Sequence, residues 1–167
     1  GVYRSIYNFC VVDMSNFYFD IIKDRLYCAG EEGRRSAQTA LYLILDGMTR
    51  LVAPILAFTS EEIWKAMPHD GQADGESVLF NQMPDYDGAL ALPQGETERW
   101  EALITLRDHV NKALESARNE KRIGKSLEAK VVLHLPVGYQ AVKKEDLSFL
   151  ADLFIVSEAE IGNDTQS

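Results

Sequence analysis

The chain has 167 residues, 46% of them hydrophobic and 26% charged, with a formal net charge of −9 at pH 7. That composition supports one domain with a substantial core and excludes wholesale disorder; no apolar run approaches the roughly 20 residues of a membrane span, and the N-terminus lacks the basic-then-apolar layout of a signal peptide. A soluble, cytoplasmic protein is expected, and the acidic total argues against nucleic-acid binding through one broad basic face.

The charge is unevenly placed. Between Glu61 and Glu101 ten acidic residues face only Lys65 and Arg99, so this stretch carries −8 and the remainder of the chain −1. Within that remainder Arg118, Lys121, Arg122, Lys125 and Lys130 stand beside only Glu120 and Glu128, and a local basic patch survives. Cys10 and Cys28 lie in apolar surroundings without a CxxC or a histidine-rich partner, the pattern of reduced, buried thiols.

In chain order, residues 2–28 are apolar nearly all round, which predicts a long helix packed on more than one side. Asp13, Asn16, Asp20, Lys23 and Asp24 interrupt it at intervals of three and four, a single stripe on a helix. Carboxylate metal sites in bundles draw on several helices and on Glu-x-x-His pairs, and no such pair is present. The upper residues Asp13, Asn16 and Asp20 therefore read as a hydrogen-bonded seam that fixes helix packing. Only the lower end, from Lys23 and Arg25 onward, is a functional candidate. Gly30 and Gly33 end this helix. A second is predicted from about Ser36 as its cap, burying Leu41, Ile44, Leu45, Met48, Leu51 and Val52, until Pro54 breaks it.

"FTSEEIWKAMP" carries the spacing of a capping box, Thr59 with Glu62, and of a hydrophobic staple, Phe58 with Ile63; Pro68 stops the helix. Residues 69–95 read as an acidic surface connection pinned at "SVLFNQMP". Trp100, Leu103, Ile104, Leu106, Val110, Ala113, Leu114 and Ala117 give a further helix over 97–119, and Trp64 and Trp100 are assigned to core. Next come a strand in "AKVVLHLP", a helix in "KKEDLSFLADLF" and a strand in "IVSEAEI". The predicted class is mainly α: an antiparallel helical bundle over 1–122, a small βαβ-like α+β appendage over 123–162, and a frayed tail at 163–167.

No catalytic constellation emerges. His69, His109 and His134 fall in a loop, a helix and a strand without an acid or nucleophile at a recognised spacing; GxGxxG, P-loop and HExxH patterns are absent, and "KRIGKS" lacks the upstream glycine and strand of a phosphate cradle. Two basic clusters remain. Arg34 and Arg35 stand near the start of the second helix, where the macrodipole favours anions, and so point to a phosphate partner unless Glu31 and Glu32 merely neutralise them. Lys121, Arg122 and Lys125 follow the last long helix, where cations suit the dipole anyway. Tyr27 is placed either to stack on an unpaired base or to be buried.

Taken together, "NFCVVDMSNFYFDIIKDRLYC", "RRSAQTALYLILDGMTRLVAPILAFTSEEIWKAMP" and "VNKALESARNEKRIGKSLEAKVVL" closely resemble the anticodon-binding domain of bacterial-type isoleucyl-tRNA synthetase, a class I aminoacyl-tRNA synthetase. The resemblance covers residues 2–135 and, more loosely, the appendage to about 162. It implies a helical bundle that docks the anticodon stem-loop of isoleucine tRNA, while a separate Rossmann-type domain activates the amino acid with ATP and magnesium. The HIGH-like and KMSKS-like signatures of that domain do not occur here. On this resemblance the chain is an excised domain that ends before the zinc module often closing bacterial members; it binds RNA, carries no catalytic residue, metal ligand or cofactor of its own, and has as partners isoleucine tRNA and the catalytic and C-terminal domains of the parent enzyme. The RNA-contacting residues it implies are Lys23, Arg25, Tyr27, Arg34 and Arg35, with Lys121, Arg122 and Lys125 holding the backbone from an adjacent junction. The competing expectation is a structural module that docks the other domains and touches little RNA.

Overall fold

The structure, a computed structural model, describes residues 1–69, 71, 75–136, 138–142 and 146–162. The expected tail at 163–167, the start of the "KKEDLSFLADLF" helix at 143–145, and Asp70 and Asp74 of the acidic stretch lie outside the described residues. The chain is mainly helical with one small sheet near its C-terminal end, the predicted class. It divides into two compact units, Gly1–Asp24 with Leu92–Ser167, and Arg25–Ala91.

The first unit opens with α1 (Val2–Asn8), a π-helical stretch over Phe9–Tyr18 and the short α2 (Phe19–Ile21). Helix is predicted here and helix is found, but the wide turns of the π stretch do not keep a stripe drawn at 3.6 residues per turn on one line. Asp13 and Asn16 stand exposed. Asp20 pairs with Lys23 at 2.6 Å. The seam is overturned at Asp13 and Asn16, and the Asp20–Lys23 pair is the part of it that is found; Met14 and Ile22 are the buried residues of this segment. Cys10 is free and exposed, not buried.

Helix α6 (Gln94–Asn119) starts three residues earlier than its periodicity predicts, directly after Pro93. The appendage is β1 (Lys130–Leu133), α7 (Leu147–Phe154) and β2 (Glu158–Ile161), the two strands pairing in parallel from Lys130 opposite Glu158 to Leu133 opposite Ile161. Two parallel strands bury too little on their own to persist. Leu133 and Ala159 of the sheet, Leu150, Leu153 and Phe154 of α7, and Leu103, Val110 and Leu114 of α6 accordingly form one continuous core. Full burial of a leucine is worth about 1.5–3 kcal/mol, so most of the appendage's stability comes from closing over α6. Trp100 is half-buried at the margin of this core, edge-on to Phe149 with centroids 5.5 Å apart. Arg107 fastens three segments: its Nε donates to the Leu153 carbonyl at 3.0 Å, and its guanidinium lies 5.1 Å from the centre of the Phe17 ring.

In the second unit α3 (Lys23–Tyr27, whose first two residues belong to the first unit) leads to α4 (Glu31–Val52) and α5 (Ala57–Ala66). Helix α4 begins at Glu31 behind Gly30, five residues before the predicted cap Ser36, because Glu31 and Glu32 suit the positive end of the macrodipole and Gly33 is absorbed into the first turns. Ala37 and Thr49 are its buried residues. Leu41, Ile44, Met48 and Val52 are half-buried, while Leu45 and Leu51 are exposed, against expectation.

The capping box is also overturned. The chain turns through Pro54, with the Ile55 and Leu56 amides both bonded to the Val52 carbonyl, and α5 starts at Ala57, so Thr59 sits inside the helix; Phe58 is 89% exposed and staples nothing. Trp64 is core as predicted, 2% exposed, packed with Ala53 and Val78, its indole nitrogen donating to the Gly75 carbonyl at 3.1 Å. The expected pin in the acidic connection is Val78, buried in a short 3-10 turn over Val78–Phe80. No described helix is long and apolar enough to cross a membrane.

Candidate nucleic-acid interface

The second unit has five cations, Arg25, Arg34, Arg35, Arg50 and Lys65. Three are neutralised on their own helices: Arg35 by Glu31 at 2.7 Å, Arg50 by Asp46, and Lys65 by Glu61 at 3.4 Å. Arg25 and Arg34 are exposed and form no ion pair among the described residues. Gly33 leaves room for one of them: a Cβ at that position would lie 3.8 Å from the Arg25 Cγ and 3.4 Å from the Ala29 Cβ, so the Arg25 stem passes over the first turn of α4, the turn that also carries Arg34. Tyr27, the last residue of α3, is 81% exposed, which decides between the two readings of that ring in favour of accessibility. Two uncompensated guanidinium groups and a bare phenol at one end of an acidic unit present charge for phosphate and a face for stacking. Lys23 is exposed and occupied by Asp20 in the first unit.

The second cluster belongs to the first unit. After α6 the amide of Lys121 donates to the Arg118 carbonyl and that of Arg122 to the Ala117 carbonyl, both at 2.9 Å, and Lys121 adopts the left-handed φ of 58°. That is a Schellman ending with lysine where glycine is usual. Arg122 pairs with Glu120 at 2.7 Å; Lys121 and Lys125 are exposed and form no ion pair among the described residues. The residue that sequence reasoning passes over is Glu128. Its Oε2 accepts from the amides of Gly124 at 2.9 Å and Lys125 at 3.2 Å, folding the loop back on the 3-10 turn Ser126–Glu128. The signal was a glutamate three residues past Lys125, the capping-box spacing.

Among the described residues the histidines stand apart from one another in structural or exposed settings. The His69 ring lies tilted against Trp64 with centroids 4.2 Å apart, and its Nε2 lies 2.5 Å from the Trp64 carbonyl, a structural contact; His109 is exposed on α6. A groove of about 550 Å³ is lined by residues of α6 and β1, most of them apolar, such as Leu106, Val110 and Val131. Lys130, beside it, is held protonated above its ordinary range by its hydrogen bond to Glu160. Among the described residues no group of three or more His, Cys, Asp or Glu side chains is arranged to hold a metal ion.

Residues 1–133 match the family described as the anticodon-binding domain of tRNA ligase. The chain is similar to the isoleucine–tRNA ligase of Syntrophotalea carbinolica, 48% identical over 98% of this chain and 18% of that protein. Against the isoleucine–tRNA ligase of Coxiella burnetii it is 48% identical over 96% of this chain and 17% of that protein, and against that of Bacillus cereus 46% over 97% and 17%. It thus spans less than a fifth of the length of the curated relatives it matches.

Proposed function

The chain belongs to the family of anticodon-binding domains of tRNA ligases, and on that premise we propose that it binds the anticodon stem-loop of isoleucine tRNA as one part of an isoleucine–tRNA ligase. The observation that carries the reading is that two exposed arginines without an ion pair among the described residues, Arg25 and Arg34, and the exposed Tyr27 all fall on α3 and the first turn of α4. Unpaired loop bases are recognised by stacking and by hydrogen bonds to their edges, while guanidinium groups hold the phosphates and set the register. Arg35 and Lys23 add charge once phosphate competes with Glu31 and Asp20. Lys121, Arg122 and Lys125 contact backbone from the first unit. ATP, magnesium and any zinc belong, on this reading, to other parts of the ligase, so the chain itself binds RNA without aminoacylating it and has the catalytic and C-terminal domains as its protein partners.

The test is the affinity of the 167-residue chain for an isoleucine-anticodon stem-loop across a salt series, beside stem-loops with scrambled anticodons. Preference for the cognate loop, a negative salt slope, and a loss of about tenfold or more on combining Arg25→Glu with Arg34→Glu are expected. Equal binding of scrambled loops rejects selective reading.

A docking role has its own supporting observation. Phe58, Phe80 and Tyr86 are among the most exposed side chains of the second unit, aromatic surface available to a neighbouring domain. If reversing both arginines leaves stem-loop binding unaltered, that role takes precedence.

A further inference from the structure

A carboxylate folded into a basic loop is electrostatically misplaced where that loop is to meet a polyanion, and Glu128, at the end of the 3-10 turn three residues past Lys125 and close in sequence to Lys121 and Arg122, is a carboxylate so folded. Its hydrogen bonds account for it. One oxygen holds both the Gly124 and the Lys125 amides, at 2.9 and 3.2 Å, and a Cβ on residue 124 would stand 3.0 Å from that same oxygen, so the loop is built around the carboxylate. On the other side the Schellman bonds of Lys121 and Arg122 fix the loop to the end of α6, with Lys121 in a conformation that glycine adopts more readily. The loop is therefore fastened at both ends through its backbone, and the ammonium groups of Lys121 and Lys125 are spent on neither fastening.

We propose that Glu128 is a positioning residue for tRNA: by holding the Gly124 and Lys125 amides it presents Lys125, next to Lys121 and Arg122, to the phosphate backbone of the bound RNA. The proposal rests on the tRNA-binding reading and makes a prediction of opposite sign to simple electrostatics. Removing a negative charge near RNA tightens binding if charge is all that matters; removing the fastening loosens it.

The test measures affinity of the 167-residue chain for isoleucine tRNA over a salt series, with Glu128→Ala, Glu128→Gln, Gly124→Ala, Lys125→Ala and the double variant Glu128→Ala/Lys125→Ala. Glu128→Ala is expected to weaken binding about fivefold and to reduce the salt slope by about 1, as Lys125→Ala does. Glu128→Gln, which keeps an acceptor oxygen for both amides, retains the wild-type slope. The double variant binds no more weakly than Lys125→Ala alone, because the two changes remove one contact. Binding by Glu128→Ala as tight as wild type or tighter, or losses that multiply in the double variant, overturns the proposal. Should Glu128→Ala fail to fold by circular dichroism, Gly124→Ala decides: a folded variant with an unchanged slope overturns it equally. Absence of salt-dependent binding by the wild-type chain rejects the tRNA-binding reading and this inference with it, whereas wild-type binding that none of these substitutions alters rejects the role of Glu128 alone.

Discussion

The guanidinium of Arg99, in the first turns of α6, lies 2.7 Å from the carboxylate of Asp146, 47 residues away in sequence and immediately before α7. Its Nε also donates to the Ala141 carbonyl at 3.2 Å. The pair is sheltered, with side chains 23% and 18% exposed, and the Asp146 hydrogen bond is the main cause holding Arg99 above even its usual high pKa. Exposed ion pairs contribute little, but hydrogen bonds to a charged partner out of solvent are worth about 1.5–3 kcal/mol. Arg99→Ala is expected to lower the urea-unfolding free energy by about 2 kcal/mol, and Arg99→Lys to recover only part of it, since an ammonium does not span both acceptors. A loss under about 0.5 kcal/mol would show that the apolar core alone closes the appendage over α6.

Lys121 separates stability from binding. A non-glycine residue in the left-handed region costs about 1–2 kcal/mol, and glycine returns part of that as greater freedom of the unfolded chain. Lys121→Gly is therefore expected to stabilise the first unit by about 0.5 kcal/mol while reducing the salt slope of tRNA binding by about 1. Thermal melts and a salt titration on the same preparation check both; a variant that is less stable contradicts the strain at φ 58°.

Glu61 makes the second unit sensitive to acid. The Ser77 hydroxyl donates to its Oε2 at 2.7 Å and the Val78 amide at 3.1 Å, and these bonds, the Ser77 one first, hold its carboxyl below the ordinary value of 4.5 against the opposing effect of burial. A depressed folded-state pKa means stabilisation that is complete above the unfolded value and lost as pH falls through the folded one. Melting temperatures from pH 7 down to 3 should show the loss developing below about pH 4.5. Glu61→Gln should be the less stable protein at pH 7, and its deficit should narrow as the pH falls below about 4.5. A constant deficit would mean that the glutamine shape, not the lost charge, is responsible.

Much of this was legible in the residues, for reasons that differ by element. The periodicity of Leu103, Val110 and Leu114, and the short β-branched run before Leu133, announced α6 and β1 because apolar spacing reports burial directly. Helix starts failed because local capping patterns compete with the turn that precedes them: the turn through Pro54 starts α5 ahead of Thr59, and Glu31 with Glu32 starts α4 ahead of Ser36. Asp13 and Asn16 misled for another reason, since a seam assumes α-helical turns and Phe9–Tyr18 are π-helical. Both basic clusters were visible as charge, but not which cations are already paired. That depends on rotamers that put Arg35 on Glu31 while leaving Arg34 without an ion pair among the described residues.

Tyr27 gives the sharpest separation of RNA binding from domain docking. At 81% exposure its ring contributes little to stability, so Tyr27→Ala should leave unfolding free energy within about 0.5 kcal/mol of wild type. A base stacked on an aromatic ring is worth about 1–3 kcal/mol, so the same substitution should weaken the cognate stem-loop by roughly 5- to 150-fold. Tyr27→Phe retains the ring and should bind nearly as wild type does, unless the hydroxyl reads a base edge, in which case discrimination against scrambled loops falls while affinity for them stays. Stacking is largely insensitive to salt, whereas the arginine contacts are not, so the deficit of Tyr27→Ala should persist at high ionic strength while that of Arg34→Glu shrinks. A Tyr27→Ala variant that binds every stem-loop as the wild type does would remove the ring from the interface and leave Arg25 and Arg34 as sequence-blind phosphate contacts.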